Sequence, residues 1–166
     1  PKRIFIMGEV RKPGGYTVHS YATVFNSLYS IGGPTLRGSL RDVRVLRNNK
    51  IIARIDLYDY LTGADETNDI RVQTNDQVFV PIRGKTITLR GEVRKPGIFE
   101  LKEGESLSNL LKFSGGLAAE AYGERIKIQR IIPIDQRKPG ELERRDIDID
   151  LIRAQREKRS IQLEDQ

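Results

Sequence analysis

An internal repeat limits what this chain can fold into more than any other feature of its sequence. Residues 8–14 read Gly-Glu-Val-Arg-Lys-Pro-Gly, and residues 91–97 read the same, so the two copies are offset by 83 residues (91 − 8). The offset continues without a gap to the pairs Gly32-Gly33 and Gly115-Gly116. A repeat of this length exceeds the roughly 20–50 residues of stacked-repeat units. We therefore expect two tandem domains, each only marginally stable by itself because so small a domain buries a modest share of its surface.

The second copy departs from the first toward its end. The expected domains are 1–83 and 84–166, and most of their positions match at the same offset. Ile149 then takes the place of Ile55, an offset of 94, so the second copy carries about 11 extra residues (94 − 83). We place them in an extended hairpin loop at about 133–146, a stretch that contains two prolines and a glycine.

The second copy also ends sooner than the first. The first copy closes with a turn and a strand at 75–81, whereas the second ends at Glu164-Asp165-Gln166. We expect the last strand of the second domain to be missing from this chain. A missing strand leaves a sheet edge open to completion by another chain.

The composition excludes several classes of site. The 166 residues include no tryptophan, one histidine and no cysteine. The absence of cysteine excludes disulfides, thiolate nucleophiles and cysteine-ligated metal centres. The net charge is +6, and 37% of the residues are hydrophobic, which is too apolar for a disordered chain. The chain contains no apolar run of the roughly 18 residues that a membrane span needs.

Each copy predicts the same opening elements. Residues 4–10 and 87–93 are rich in strand-forming side chains and lead into Lys-Pro-Gly turns, after which a short return strand completes a hairpin. Ser20 and Ser106 are candidate helix N-caps. The Gly-Gly pair ends each helix, since glycine accepts the left-handed backbone of a C-cap.

In the first copy the helix carries apolar residues at the spacing of one helix face. They are Tyr21, Val24, Phe25, Leu28 and Ile31.

The rest of the first copy predicts a hairpin, a short helix and a strand. Strands at 43–46 and 51–55 are joined by Asn48-Asn49-Lys50, a helical turn follows at 57–61, and a strand lies at 77–81. One helix must pack on one face of a small mixed sheet to bury its apolar stripe. We therefore predict the α+β class, with two tandem β-grasp domains.

These motifs resemble a known domain family. Gly-Glu-Val-x-Lys-Pro-Gly, a helix ending in Gly-Gly, a Val-x-Val-x-Arg strand and Asp-x-Val-x-Val-Pro are similar to the soluble-ligand-binding β-grasp (SLBB) domain. Tandem copies resemble the periplasmic part of the outer-membrane polysaccharide export family. The extended loop and the missing strand of the second copy depart from the family pattern.

The resemblance implies a non-enzymatic role. It implies a periplasmic module, within an outer-membrane-associated protein, of a channel that exports capsule or exopolysaccharide. The implied partners are the polysaccharide, further copies of the full-length protein in a ring, and an inner-membrane polysaccharide co-polymerase. No cofactor and no nucleic acid are expected. The alternative is a periplasmic nucleic-acid-binding module of a DNA-uptake system, because similar domains occur there.

The repeated hairpin carries the candidate binding residues. Cations at equal places in two copies can hold an anionic glycan, a phosphate or a neighbour's carboxylates. The residues expected to contact a polymer or partner are Arg11, Lys12, Tyr16, Arg94, Lys95 and Phe99. The residues expected to shape turns and helix ends are Gly8, Pro13, Gly14, Gly32, Gly33, Gly91, Pro96, Gly97, Gly115 and Gly116.

No pattern in the sequence supports catalysis or a metal. Glu9 and Glu92 would have to flank one glycosidic bond, and nothing in the sequence brings them together. His19 has no companion residues for a catalytic triad. Alternating aspartates at 146, 148 and 150 lack a calcium-loop pattern, and the basic stretch 153–159 lacks the interleaved aromatic residues of a nucleic-acid surface.

The tyrosines divide between core and surface. Tyr21 and Phe25 are expected in the core, on the helix face that carries Val24 and Leu28, with Tyr29 beside that stripe and exposed. Tyr58, Tyr60 and Tyr122, together with Tyr16, are the expected surface contacts.

Overall fold

The computed structural model of the chain describes residues 1–63, 67–119, 126–131 and 144–149. The chain forms two compact units, Pro1–Ile87 and Thr88–Gln166. Mixed sheet and short helices place it in the α+β class, as predicted. Within the described residues, no helix is long and apolar enough to cross a membrane.

The first unit contains one five-stranded sheet and two short helices. Its strands lie in the order β2-β1-β5-β3-β4, with β1 and β5 parallel and the other neighbours antiparallel. The predicted succession of two strands, helix, two strands, short helix and strand is confirmed. The elements are β1 (Lys2–Gly8), β2 (Gly14–Val18), α1 (Val24–Ser30), β3 (Val43–Arg47), β4 (Lys50–Ile55), α2 (Leu57–Gly63) and β5 (Gln77–Val80).

The core of this unit lies between α1 and one face of the sheet. Successive side chains of a strand point to opposite faces, so alternate residues of the central strands reach the same side. Val24 and Leu28 of α1 are buried in the same cluster as these strand residues. The buried strand residues are Ile4, Ile6, Val43, Val45, Val78 and Val80.

Two ion pairs hold loops to this core. The Asp76 side chain is fully buried, and its two oxygens accept from Arg47 Nε at 2.8 Å and from an Arg47 terminal nitrogen at 2.9 Å. Arg41 and Asp56 form a second pair, also buried, in which Arg41 Nε and Nη2 both donate to the carboxylate. A buried charge keeps its place only when it is paired and hydrogen-bonded, as both carboxylates are.

The second copy has elements at the matching positions. They are β6 (Thr86–Leu89), β7 (Gly97–Glu100), α3 (Leu107–Phe113), β8 (Ile126–Ile131) and β9 (Arg144–Ile149). The first two strands form one two-stranded sheet, and the last two form another.

The strand register supports the location of the extra residues. Val43 pairs with Ile55 in the first copy, and Ile126 pairs with Ile149 in the second. Val43 and Ile126 are related by the offset of 83, and Ile55 and Ile149 by the offset of 94. The extra residues therefore lie between β8 and β9. The predicted loop at 133–146 overlaps the start of β9 at Arg144, and its remainder lies outside the described residues. The end of the second copy, the basic stretch and Tyr122 lie outside them too.

The first helix begins later than the sequence predicted. Its N-cap is Thr23, whose Oγ1 accepts from the amide of Asn26 at 3.3 Å, so the prediction of Ser20 was wrong. Tyr21 lies in the preceding turn and is 76% exposed, so the core position expected for it was also wrong. A helix face exists only inside a helix, and Tyr21 precedes the first helical residue. Ser106 is confirmed as the N-cap of α3, where it forms a capping box with Asn109.

Candidate functional site

The repeated Gly-Glu-Val-Arg-Lys-Pro-Gly segment forms the connection of the first hairpin. Gly8 ends β1 with a positive φ of 87°, which turns the chain out of the β region. The amide of Glu9 then donates to the carbonyl oxygen of Val80 at 2.8 Å. A Cβ atom at Gly8 would overlap that oxygen, so only glycine fits between β1 and β5.

The segment is also bonded to the end of the first helix. The amide of Arg11 donates to the carbonyl oxygen of Gly33 at 3.1 Å, and the amide of Thr35 donates to the carbonyl oxygen of Glu9 at 2.9 Å. Val10 and Pro34 pair between them as an isolated bridge. We call these contacts the hairpin–helix tie, because they fix the hairpin to the Gly-Gly end of α1.

The second copy contains the same tie at the same offset. The amide of Arg94 donates to the carbonyl oxygen of Gly116 at 3.0 Å, and the amide of Ala118 donates to the carbonyl oxygen of Glu92 at 3.0 Å. Val93 and Leu117 form the matching bridge. The sequence predicts only a hairpin turn for this motif, although the identical run extends beyond the turn residues, and that extra length is the signal of the tie.

The two glycine pairs end their helices as expected. Gly32 and Gly33 have φ values of 87° and 75°, and Gly115 and Gly116 have values of 78° and 91°. The amide of the second glycine donates back to the helix, to Leu28 in α1 at 2.9 Å and to Leu111 in α3 at 2.7 Å.

The arginines of the motif lie against these glycines. The Arg11 side chain covers Gly32, with its Cδ 3.2 Å from where a Cβ would stand, and the Arg94 side chain covers Gly115 in the same way. Both arginines remain exposed. Their aliphatic stems therefore pack at the base of the hairpin, while their guanidinium groups reach solvent.

The lysines and prolines occupy the hairpin tips. Lys12 and Lys95 are exposed, as are Pro13 and Pro96. In the first hairpin the Tyr16 hydroxyl donates to the carbonyl oxygen of Lys12 at 2.6 Å, which fixes the tip from the return strand. The structure thus presents one exposed ammonium group at each of two equivalent tips.

The aromatic residues of the return strands pack beside the turn glycines of their own hairpins. Tyr16 is half-buried and packs against the core, with its ring 3.8 Å from where a Cβ of Gly14 would stand. Phe99 is half-buried, and its ring is 4.0 Å from the equivalent point at Gly97. Both rings are partly covered by their own hairpins, so they offer a partner less surface than the two lysines.

The acidic residue of the motif is bonded in the first copy to side chains that follow α1. The Glu9 carboxylate accepts from the Thr35 hydroxyl at 3.0 Å and lies 3.4 Å from Arg37 Nε. Glu92 is exposed. The local partners of Glu9 give its carboxylate a structural role at the hairpin–helix tie.

The histidine and the acidic residues of the described part of the chain form no metal-ligating cluster. His19 is exposed, and its carbonyl oxygen accepts from the amide of Ala22. Among these residues no three His, Cys, Asp or Glu side chains lie close enough together to hold a metal ion. Asp146 and Asp148 lie in β9, and Asp150 falls outside the described residues.

The structure places some aromatic side chains differently from the positions predicted from the sequence. Tyr58 is buried beneath the Arg41 guanidinium, 4.5 Å from its ring centroid, so the surface role expected for it was wrong. Phe25 is half-buried and stacks on Tyr60 at 3.8 Å between ring centroids. Tyr29 is exposed, as predicted.

Comparisons with known proteins give the family context of this geometry. A family model described as the SLBB domain matches residues 3–54 and 86–142, one segment in each copy. Two curated relatives from Escherichia coli, both named polysialic acid transport protein KpsD, are 30% identical over 104 residues. The aligned part covers 62% of this chain and 18% of each relative, so the chain spans less than a fifth of the relatives' length.

Proposed function

Because this chain belongs to the SLBB domain family, we propose that it is a non-enzymatic module of a polysaccharide export system in the bacterial envelope. The observation that carries the proposal is the pair of equivalent lysine-tipped hairpins, each held by the same backbone tie. Similarity to polysialic acid transport proteins supports an acidic polysaccharide as the polymer. The chain would contact the polymer and would not cut or modify it.

The hairpin tips suit a polymer that must keep moving. Lys12 and Lys95 each add one exposed positive charge. An exposed ion pair contributes only about 0–1 kcal/mol, so each contact forms and breaks easily. Several weak contacts on one polymer still add up to retention through a raised local concentration.

The assembly around this chain forms the second part of the proposal. We propose a periplasmic location, a ring of full-length proteins and contact with an inner-membrane polysaccharide co-polymerase, as the family resemblance implies. We also propose that the first β-grasp module ends and the second begins near residues 83–84. These statements draw their support from the resemblance and from the repeated sequence.

An NMR titration of this chain tests the binding role. The ligand is an oligomer of sialic acid at physiological salt, and the competitor is single-stranded DNA of matched charge. We expect the amide signals of Lys12 and Lys95 to shift with the glycan more than with DNA. Replacing both lysines by alanine should weaken glycan binding by about two- to thirtyfold, the sum of two exposed charge contacts.

Lys50→Ala is the matched control, because Lys50 is an exposed lysine in a hairpin that lacks the motif. Its affinity for the glycan should equal that of the unmodified chain. If the control and the double variant lost affinity for the glycan equally, net charge alone would explain the effect. A stronger response to DNA would favour the nucleic-acid-binding alternative.

A further inference from the structure

Three aromatic rings of the first unit form a stack that the fold does not require. The Phe25 ring is parallel to the rings of Tyr60 and Tyr29, with centroid distances of 3.8 and 6.3 Å. The interplanar angles are 13° and 10°, so the three planes are nearly parallel. Tyr29 is at the outer end of this aromatic stack and is 78% exposed.

Core packing does not account for the position of Tyr29. The buried side of α1 is formed by Val24, Ser27 and Leu28, which pack on the sheet. Most of the Tyr29 ring faces solvent, where a large aromatic surface gains nothing from the hydrophobic effect. An exposed aromatic ring that lies parallel to a stacked neighbour, as Tyr29 does to Phe25, is typical of a contact surface for a ligand.

The stack belongs to the first copy alone. At the 83-residue offset, Phe25 corresponds to Ser108 and Tyr29 corresponds to Lys112. The glycines and backbone bonds of the hairpin–helix tie are repeated, because both domains need them to fold. A feature that one copy has and the other lacks is not required by the shared fold.

We propose that the exposed face of Tyr29, supported by Phe25 and Tyr60, is a stacking platform for a pyranose ring of a polysaccharide. The face of an aromatic ring carries negative charge density and attracts the weakly positive C–H groups on the flat side of a sugar. The inference rests on the proposed function, since export brings a polysaccharide to this chain. It adds a second kind of contact to the charged tips, one that binds the sugar ring and not its acid groups.

The charges near the stack favour a sugar over a nucleobase. The Asp69 carboxylate accepts from the amide of Phe25 at 3.0 Å, which places an acidic group at the start of the same helix. The nearby Arg71 guanidinium lies over the ring of Tyr21, 5.4 Å from its centroid. Nucleic acids that stack on aromatic rings also need cations for their phosphates, and the stack itself supplies none.

Binding of a neutral oligosaccharide tests the platform separately from the charged tips. The probe is isomaltohexaose, followed by NMR on the ring signals of Tyr29 and on the backbone amides of α1. We expect saturable shifts in the unmodified chain. Tyr29→Ala should weaken the affinity by about five- to tenfold, and Tyr29→Phe, which keeps the ring, should leave it nearly unchanged.

Tyr21→Ala is the matched control, because Tyr21 is equally exposed and lies outside the aromatic stack. It should bind the probe as the unmodified chain does. Thermal unfolding of each variant confirms that the exposed substitutions leave the fold intact.

The outcomes separate the platform from the proposed function. Loss of binding in Tyr29→Ala with retention in Tyr21→Ala supports the platform. Sialic acid oligomers that shift the hairpin tips while no saccharide shifts Tyr29 overturn the platform and leave the proposed function standing. Equal affinity of Tyr29→Ala and the unmodified chain overturns it as well, and so does tighter binding of single-stranded DNA to Tyr29. If neither saccharide binds anywhere on the chain, the platform and the polymer-binding role both fail.

Discussion

At the scale of single residues, Gly8 is the position of the repeated motif at which the structure most strictly requires glycine. It has a positive φ, and the carbonyl oxygen of Val80 occupies the space where a side chain would begin. That oxygen also accepts from the amide of Glu9, so it cannot move away without breaking a bond between β1 and β5. Glycine at position 8 is therefore required both by the turn and by the parallel pairing of β1 with β5.

Gly8→Ala should destabilise the first unit by about 3 kcal/mol or more, through backbone strain and overlap together. Gly33→Ala is the control, because Gly33 has a similar φ of 75° and no described atom within 4 Å of a built Cβ. It should cost only about 1–2 kcal/mol, the strain of a left-handed residue. Urea unfolding followed by NMR measures both values. Equal losses would contradict the role assigned to Val80.

At the scale of elements, the first helix shows how a repeat improves on a local rule. Ser20 has the chemistry of an N-cap, but Thr23 stands at the position that the 83-residue offset relates to Ser106. The structure uses Thr23 and Ser106. Ser20 was predicted from its hydroxyl group alone, whereas the 83-residue offset from Ser106 indicates Thr23.

Thr23→Ala should lower the free energy of unfolding of the first unit by about 1 kcal/mol, because the amide of Asn26 loses its acceptor. Ser20→Ala should change it by less than about 0.5 kcal/mol, since Ser20 is exposed and lies before the helix. Thermal or urea unfolding gives the comparison. A larger loss for Ser20→Ala would place the helix start where the sequence alone had suggested.

At the scale of the whole first unit, Asp76 joins two strands of the sheet to the loop that precedes β5. It accepts from Arg47 on β3 and from the amide of Gln73, and its backbone carbonyl accepts from Phe5 on β1. Burial alone would raise the pKa of Asp76, but the hydrogen bonds from Arg47 and Gln73 outweigh it and hold the pKa below its ordinary value. The ionised form is therefore the one that the folded unit stabilises.

A lowered pKa makes the unit sensitive to acid. The contribution of Asp76 is fully present above its unfolded pKa of about 3.9 and is lost as the pH falls through the lower folded value. Asp76→Asn should cost about 1.5–3 kcal/mol at pH 7 and should flatten the loss of stability below about pH 4.

Asp42, a half-buried carboxylate that forms ion pairs with Arg44 and Arg54, offers the control for this prediction. Asp42 also has a lowered pKa, because hydrogen bonds from Arg44 and Arg54 outweigh the effect of its partial burial. Asp42→Asn should cost only about 0–1 kcal/mol, as for other solvent-screened pairs. Amide signals of Ile6 and Val78, followed during urea unfolding at pH 7 and pH 3, report on the first unit. Equal pH profiles for Asp76→Asn and the unmodified chain would contradict the assignment.

The sequence by itself determined the tandem organisation and the order of elements. Both are consequences of local chemistry: strand-forming runs and Gly-Gly helix ends that recur in the two copies, and the Asn48-Asn49 turn of the first copy with its two positive φ values. The extra residues between β8 and β9 were also predictable, because pairing of strands preserves the offsets of the apolar positions.

Only the tertiary structure decided which polar and aromatic residues meet. The tie between Arg11 and Gly33 joins residues 22 positions apart (33 − 11), and the aromatic stack joins Phe25 to Tyr60 across two helices. Periodicity assigned Tyr21 to the core and left Tyr58 at the surface, and the structure reverses both. The physical reason is that side-chain contacts over such separations depend on the tertiary fold of the whole chain, which a local pattern of residue types does not determine.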